Sequence, residues 1–226
     1  MTNIVAAIAN DPLISAIHAV DEGADMIEIR IDLMNYPADS LSSLFRELSD
    51  TVQVPIIATN RMQAEGGGFT GSEKERVGIL LSVLEMVDAV DIELRAREEY
   101  RDRVVRRAKE AEKSVIISYH DFLRTPNRGA MRKILSDCFD AGSDIAKLAA
   151  TPHSYNDALR LLELTLDYAS ESVCIIGMGG YGVHTRAIAP LYGSALAYAS
   201  VGDPTAPGQL GIRELKGMLK MLSPSV

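Results

Sequence analysis

Short runs of apolar, β-branched residues alternate along the chain with longer segments in which apolar residues recur at helical spacing. The strand-like runs lie at residues 4–9, 26–32, 54–60, 90–94, 115–120, 144–150, 173–178 and 195–201. The helix-like segments lie at residues 12–22, 40–49, 73–87, 97–112, 128–141, 155–169, 184–192 and 212–222. Each strand is therefore followed by a helix, with short connections between them.

Local residue choices support these boundaries. Pro12 stands at a predicted helix start, Ser72 and Glu75 form a potential capping box, and Gly23 and Gly142 follow predicted helix ends. Repeated strand–helix units in a chain of 226 residues predict an α/β fold, a single (β/α)8 TIM barrel over residues 1–226. A doubly wound open sheet is the alternative fold, but no glycine-rich dinucleotide loop follows the first strand.

Charged residues follow the strand alternation. In the second strand three isoleucines alternate with Glu28, Arg30 and Asp32, and the fourth strand repeats the pattern with Asp91 and Glu93. Alternate residues point to opposite faces, and in a barrel the isoleucines must meet the surrounding helices. The charges then point into the barrel, where unpaired charges cost several kcal/mol each. We expect such a cluster to be retained for function, although for any one strand a solvated face or a structural ion pair is the simpler explanation.

The sixth strand carries Lys147 in its middle, among small and apolar residues. A lysine that is partly neutral in a dry site can attack a carbonyl group and form a Schiff base. The alternative is a lysine near a strand end that extends its amine to water. In the fifth strand Ser118 and His120 share a face, and His120 lies at the carboxyl end, where barrel enzymes place their chemistry.

Three loops at the same end of the predicted barrel carry further polar groups. Arg61 ends the third strand, and Glu65 follows in a glycine-rich loop that could close over a substrate. The glycine-rich turn after the seventh strand leads to Arg186, and together they could hold an anion. The loop after the eighth strand resembles a lid that offers Thr205 and Gln209 as hydrogen-bonding groups.

Composition narrows the function classes. The formal net charge is −8, so the chain lacks the basic surface that nucleic-acid binding needs and would be repelled by an anionic membrane. There is no signal-peptide pattern and no apolar run of membrane-spanning length. Cys138 and Cys174 have no metal or disulfide spacing and read as buried thiols of a cytoplasmic protein. We expect no metal and no cofactor.

These residues together indicate a reaction class. An imine on Lys147 would acidify a neighbouring C–H group, and His120 is suited to move that proton near neutral pH. Several arginines and a glutamine imply an anionic, oxygen-rich substrate. The residues therefore favour covalent imine catalysis on a hydroxylated keto acid, and they leave elimination and aldol cleavage unseparated.

The chain resembles the type I 3-dehydroquinase family. The resemblance rests on several stretches, which are specific in this order: Glu28-Ile-Arg30-Ile-Asp32, Arg61 with Glu65-Gly-Gly, Asp91-Ile-Glu93-Leu, Ser118-Tyr-His120-Asp-Phe-Leu-Arg-Thr-Pro126, Lys147, Gly177-Met-Gly179, Arg186, Gly193-Ser-Ala195 and Ala206-Pro-Gly-Gln209. It implies a cofactor-free barrel that dehydrates 3-dehydroquinate to 3-dehydroshikimate in the shikimate pathway of aromatic amino acid biosynthesis. It also implies a homodimer.

The resemblance also implies residue roles. Lys147 would form the imine, His120 would move protons, and Glu65 would place or tune that histidine. The substrate-binding residues would be Glu28, Arg30 and Arg61 at the ring hydroxyls, Arg186, Thr205 and Gln209 around the carboxylate, and Phe122 and Met178 against the ring. Thr185 and Thr205 stand where the family often has serine, and both keep a hydroxyl.

Two other functions remain open. Another imine-forming barrel enzyme, such as a class I aldolase or a transaldolase, would also use a barrel lysine. The second is a non-catalytic barrel that binds a keto acid and signals through a partner. Such a protein would be expected to lack Lys147 or His120, and both residues are present.

Overall fold

The computed structural model describes residues 2–34 and 36–223, in which helices and strands alternate as the sequence predicts. The strands are β1 (Asn3–Ile8), β2 (Met26–Arg30), β3 (Ile56–Thr59), β4 (Ala89–Glu93), β5 (Ser114–Asp121), β6 (Ile145–Ala150), β7 (Val173–Gly177), β8 (Leu196–Ser200) and β9 (Leu210–Gly211). The helices are α1 (Pro12–Glu22), α2 (Leu41–Thr51), α3 (Glu73–Ser82), α4 (Glu98–Glu110), α5 (Arg128–Asp140), α6 (Tyr155–Asp167), α7 (Val183–Ile188) and α8 (Ile212–Leu222). Residues 1, 35 and 224–226 of the predicted domain lie outside the described residues.

The strands run parallel in the order β7-β6-β5-β4-β3-β2-β1-β8-β9. The backbone N–H of Ala195 donates to the carbonyl oxygen of Val173 at 2.7 Å, which joins the segment entering β8 to the start of β7. This contact closes the sheet on itself, and the predicted (β/α)8 barrel is confirmed. The short strand β9 adds to β8 outside the ring and leads directly into α8.

Two apolar layers follow from the period-two alternation of the strands. One layer lies between the strands and the helices and includes Ile27, Ile29 and Ile92. The other fills the barrel interior and includes Ile57 and Ile116. The predicted assignment of strand faces is therefore confirmed for β2 and β4, because their isoleucines pack outward and their charged residues point inward.

Helix boundaries depend on signals of different strength. α1 begins at Pro12 and is followed by Gly23, and both its ends match the prediction. α3 begins with the predicted capping box, in which the Ser72 hydroxyl accepts from the Glu75 N–H. That helix ends at Ser82, however, and a separate 3-10 turn follows at Leu84–Met86, so the predicted continuous helix 73–87 is wrong at its carboxyl end.

The second strand is shorter than predicted. β2 ends at Arg30, and Ile31–Leu33 form a 3-10 turn, so Asp32 is not a strand residue. The reason is tertiary, since the Asp32 carboxylate accepts from the backbone N–H groups of Arg61 at 3.1 Å and Gly68 at 3.0 Å. Asp32 thereby ties the loop after β3 to the end of β2.

No helix in the described part of the chain is long and apolar enough to cross a bilayer.

Candidate active site

Lys147 points into the barrel from the middle of β6 and is almost completely buried. Its Nζ lies 3.0 Å from Asp91 Oδ2, 3.4 Å from Glu28 Oε1 and 4.0 Å from the centroid of the Tyr198 ring. The sequence suggested apolar surroundings, but these hold only along the strand. Residues from β2, β4 and β8 reach the amine across the barrel and give it two carboxylates and an aromatic face.

Glu28 is held in place by neutral donors as well as by the lysine. Its Oε1 accepts from the Thr59 hydroxyl at 2.8 Å and from the Tyr198 hydroxyl at 3.3 Å. Burial, together with the charges of Glu28 and Asp91, raises the pKa of Tyr198 well above its ordinary value. Tyr198 therefore remains a phenol and a hydrogen-bond donor throughout the physiological pH range.

Asp91 joins Lys147 to a second buried cation. Its Oδ1 lies 2.8 Å from Arg61 Nη1 and accepts from the Ser118 hydroxyl at 2.6 Å. Burial alone would raise the pKa of Asp91, but the charges of Arg61 and Lys147 hold it well below its ordinary value. Asp91 is therefore an ionised bridge between the two cations.

The same alternation of charge continues outward to a helix. Arg61 Nη1 also lies 3.0 Å from Glu93 Oε1, and Glu93 Oε2 lies 2.8 Å from Arg76 Nη1 on α3. Arg76 in turn pairs with Glu73, which is partly exposed. A row of alternating charges therefore runs from the surface of α3 to Lys147, and each buried charge in it has a partner of opposite sign.

His120 and Glu65 form a second unit at the end of β5. Oε2 of Glu65 accepts from the backbone N–H of His120 and lies 2.8 Å from its ring Nδ1. Burial, with the charges of Arg61 and Lys147, lowers the pKa of His120 well below its ordinary value, so the ring is neutral near pH 7. An ionised Glu65 accepts a hydrogen bond from Nδ1–H, so the hydrogen stays on Nδ1 and Nε2 is the basic nitrogen.

The loop after β3 brings Glu65 to this position. A 3-10 turn at Gln63–Glu65 is followed by Gly66, which has a φ of 79° and lies against the Phe122 ring. A side chain at Gly67 would overlap the carbonyl group of Arg61. The two glycines therefore allow the loop to fold tightly enough to bury the Glu65 carboxylate, and burial raises its pKa to about 6.

Arg30 stands beside this row of charges. Its Nε and Nη2 bind the two oxygens of Asp32 at 3.0 and 2.8 Å. This two-point contact fixes the plane of the guanidinium group. Arg30 is therefore oriented before any ligand arrives.

Arg186 is buried on α7, and no carboxylate among the described residues pairs with it. Its Nη2 donates to the carbonyl oxygen of Pro207 at 3.1 Å, and within the described residues no acceptor reaches its buried Nε. Burial lowers its pKa to about 10, so the group is still charged at neutral pH. A buried cation with an unused donor is suited to receive an anion.

The segment after β8 closes one side of the cavity. Oε1 of Gln209 accepts from the Thr205 backbone N–H at 2.8 Å, from the Thr205 hydroxyl at 3.1 Å and from the Ala206 N–H at 3.3 Å. Pro207 contacts the opposite loop, because its carbonyl oxygen also accepts from Gly179 N–H at 3.1 Å. Gln209 thus holds the shape of this segment.

All of the sequence-predicted site residues line one cavity at the carboxyl ends of the strands. They are Lys147, His120, Glu65, Glu28, Arg30, Arg61, Arg186, Thr205, Gln209, Met178 and Phe122. The cavity also includes Tyr198, which the sequence analysis missed although it shares the inward face of β8 with Leu196. In the part of the chain that is described, no cluster of three or more histidine, cysteine or acidic residues could hold a metal ion.

Sequence comparison relates the whole chain to one family. Residues 4–225 match the family model described as Type I 3-dehydroquinase. The chain is 49% identical to the 3-dehydroquinate dehydratase of Methanococcoides burtonii, over 97% of this chain and 94% of the relative. It is 45% identical to the 3-dehydroquinate dehydratase of Methanosarcina mazei, over 98% of this chain and 95% of the relative.

Solved structures agree with this relationship. The 3-dehydroquinate dehydratase from Geobacillus kaustophilus superposes with a TM-score of 0.93 at 27% identity, covering 98% of this chain and 91% of that one. A type I 3-dehydroquinate dehydratase from Clostridium difficile, with covalent modified comenic acid, superposes with a TM-score of 0.91 at 30% identity, covering 98% and 92%.

Proposed function

The chain belongs to the type I 3-dehydroquinase family, and from this we propose that it dehydrates 3-dehydroquinate to 3-dehydroshikimate through an imine on Lys147. The proposal makes the protein a carbon–oxygen lyase of the hydro-lyase class. The observation that carries it is that one cavity holds both the amine of Lys147 and the imidazole of His120, whose orientation Glu65 fixes. A nucleophile and a neutral base in one cavity are what imine-assisted elimination requires.

In the first step the neutral amine of Lys147 adds to the ring ketone, and loss of water gives the imine. The amine must give up a proton before it attacks, and the carboxylate of Asp91 at 3.0 Å holds it in a fixed place until then. A bound amine that is already oriented loses little freedom when it reacts. The Clostridium difficile relative, solved with covalent modified comenic acid, supports a covalent route in this barrel.

In the second step Nε2 of His120 takes a proton from the carbon next to the imine carbon. The electrons of that C–H bond form an enamine, which then expels the hydroxyl group on the adjacent carbon. The imidazolium formed on His120 returns its proton to the leaving oxygen, so that water departs. Glu65 supports this exchange because its carboxylate binds Nδ1 and stabilises the ring while it is charged.

In the last step water adds to the imine of the product and the C–N bond breaks. This releases 3-dehydroshikimate and returns the amine of Lys147. We assign the proton transfers of imine formation and hydrolysis to His120 as well, since it faces the same cavity.

Substrate binding follows from the charges that line the cavity. We place the substrate carboxylate at Arg186, whose buried Nε–H has no acceptor in the part of the chain that the structure describes, with Thr205 and Gln209 beside it. Glu28, Arg30 and Arg61 would bind the ring hydroxyl groups. Phe122 and Met178 would pack against the ring.

We place this reaction in the shikimate pathway of aromatic amino acid biosynthesis and expect a cytoplasmic homodimer. Tyr155, Leu159 and Leu166 support an association surface, because they are 72, 52 and 58% exposed along one side of α6. Sedimentation of the wild-type chain and of Leu159→Glu tests this. A single monomeric species in both would contradict the dimer.

Reductive trapping tests the proposed function. We would mix the protein with 3-dehydroquinate and borohydride, measure the intact mass and map the modified peptide. The expected result is one adduct on Lys147 and its absence in Lys147→Met. Dehydration without an adduct would refute the imine, and the absence of both would refute the assigned reaction. Cleavage of a sugar phosphate in a retro-aldol assay would favour the class I aldolase alternative.

A further inference from the structure

Arg95 lies in the turn after β4, two residues beyond Glu93, and binds both members of the Glu65–His120 pair. Its Nε donates to Oε1 of Glu65 at 2.7 Å, and its Nη2 donates to the carbonyl oxygen of His120 at 2.7 Å. The guanidinium carbon also lies 4.5 Å from the centroid of the Tyr119 ring. Three contacts therefore fix this arginine, although its side chain is 44% exposed.

Arg95 lies behind the pair rather than in the cavity. Among the residues that the structure describes, Glu65 and His120 line the cavity and Arg95 does not. The contacts of Arg95 with Glu65 and His120 therefore provide its route to the proposed reaction.

We propose that Arg95 is a positioning residue, which keeps the Glu65 carboxylate ionised and turned toward Nδ1 of His120. This inference rests on the proposed function of His120 as the proton-transfer group. Cations then act on the Glu65–His120 pair from both sides, since Arg61 and Lys147 line the cavity while Arg95 contacts the pair from outside it.

The geometry gives each oxygen of Glu65 a separate task. Oε1 binds Arg95, and Oε2 binds the backbone N–H and the ring Nδ1 of His120. Because the two oxygens are bound by different groups, turning the carboxyl plane away from this orientation would lengthen all three contacts. The bond to Arg95 thus holds Oε2 in line with the imidazole ring.

The charge of Arg95 also favours the ionised form of Glu65. The charged and titratable groups that face Glu65 are Arg95, Arg61, Glu93 and His120. Burial favours the protonated acid, and Arg95 and Arg61 oppose it. A protonated Glu65 would donate to Nδ1, and the ring hydrogen would then sit on Nε2. In that tautomer His120 cannot accept a proton from the substrate.

The test compares Arg95→Gln with Arg95→Lys and with Arg97→Gln. Arg97 is a matched control, since it lies two residues away, is 73% exposed and pairs only loosely, at 3.8 Å, with the exposed Glu99. In Arg95→Gln the acid limb of the kcat/KM profile should move up by about one pH unit. That shift corresponds to about a fivefold loss at pH 6 and less than a twofold loss at pH 8, with KM nearly unchanged.

Arg95→Lys should restore at least half of the shift, because it returns the charge. Three outcomes would overturn the proposal: an acid limb that does not move in Arg95→Gln, a loss of equal size at every pH, or the same shift in Arg97→Gln.

A second measurement does not need turnover. The carbon-13 resonance of the Glu65 carboxyl, assigned with Glu65→Gln, can be titrated in the wild type and in Arg95→Gln without substrate. Its midpoint should rise in Arg95→Gln and stay in place in Arg97→Gln. If the wild type failed to dehydrate 3-dehydroquinate, the proposed function would fall while this titration still decided the role of Arg95. An unmoved midpoint would refute that role.

Discussion

The carboxylate of Asp91 lies between two buried cations, with one oxygen 3.0 Å from Nζ of Lys147 and the other 2.8 Å from Nη1 of Arg61. Both cations are almost completely shielded from bulk water, and Asp91 itself is completely buried. The pairing explains how the barrel tolerates a lysine and an arginine in its interior, because removing ions from water costs several kcal/mol each unless they are paired.

Replacing Asp91 by asparagine should destabilise the fold strongly. The amide would keep the shape of the side chain but leave Lys147 and Arg61 without the charge they share, and breaking a buried pair costs about 3–5 kcal/mol. Urea unfolding of Asp91→Asn measures this loss. Asp102→Asn is the control, since Asp102 pairs with Arg101 at the surface, and it should change stability by less than about 0.5 kcal/mol. Equal stabilities would contradict the bridge.

Replacing Lys147 by alanine should abolish turnover and leave the fold in place. The loss of the amine removes the only proposed nucleophile, while the strand keeps its backbone pairs with β5 and β7. Absorbance of the conjugated product measures turnover, and circular dichroism checks the fold. Dehydration above background in a folded Lys147→Ala would eliminate the imine mechanism.

Activity should fall in mild acid with a midpoint near pH 6. Burial raises the pKa of Glu65 to about 6, and the lowered pKa of His120 keeps that ring neutral in the same range. As the pH falls through 6, Glu65 takes up a proton and no longer accepts the Nδ1 hydrogen, so the base is lost. A kcat/KM profile from pH 5 to 9 measures the midpoint.

The variant Glu65→Gln tests whether Glu65 causes this acid limb, because glutamine does not titrate and the limb should disappear. Its kcat should fall at least about tenfold, since catalytic proton transfer contributes about 10²–10⁴-fold in enzymes. Glu75→Gln, at the exposed capping box of α3, serves as its control. An unchanged limb in Glu65→Gln would assign the acid loss to another group.

Arg186→Gln should raise KM more than it lowers kcat. The buried guanidinium has a donor that the substrate carboxylate would satisfy, and a hydrogen bond to a charged group is worth about 1.5–3 kcal/mol, or roughly 10- to 100-fold in affinity. Steady-state kinetics give both constants. Arg213→Gln is a suitable control, because Arg213 is 76% exposed and lies far along the chain on α8. A KM that did not change would place the carboxylate elsewhere.

Gly67→Ala should damage the loop that carries Glu65. The new methyl group would overlap the backbone of Arg61, so the loop must move, and overpacking of this kind costs about 1–3 kcal/mol. Turnover should fall with stability because Glu65 leaves its place beside His120. Gly78→Ala provides the contrast, since its methyl group meets nothing within 4 Å on α3 and should stabilise by about 0.5–1 kcal/mol. Full activity in Gly67→Ala would refute this account of the loop.

Local signals predict the ends of helices well where a proline or glycine marks the boundary. Pro12 and Gly23 bound α1, and the strand alternation alone separates the inward charges of β2 from the outward isoleucines. The end of α3 lacks such a residue, so the helical spacing continues through the 3-10 turn and predicts too long a helix. Asp32 lies outside β2 because its carboxylate accepts hydrogen bonds from the backbone of Arg61 and Gly68. These residues lie about 30 positions along the chain, so no local pattern predicts the contacts.

The candidate site could be predicted from residue types, but its internal pairing could not. Tyr198 was missed because an aromatic residue in a strand is ordinarily part of the core, and only the inward face of β8 distinguishes it. Arg95 was missed for a different reason. It stands in a turn after β4, where side-chain direction has no period, so its contact with Glu65 depends on the three-dimensional arrangement of two loops.

The two-residue strand β9 limits how much freedom the segment before it has. Leu210–Gly211 pair with Ala199 and Ser200 of β8, so residues 201–209 form a loop whose two ends are fixed on adjacent backbones. A chain closed at both ends has fewer conformations than a free arm, and the entropy of closing so short a loop is already lost when the barrel folds. If Thr205 and Gln209 bind the substrate as proposed, ordering them uses little of the binding free energy, and more of it remains for the reaction.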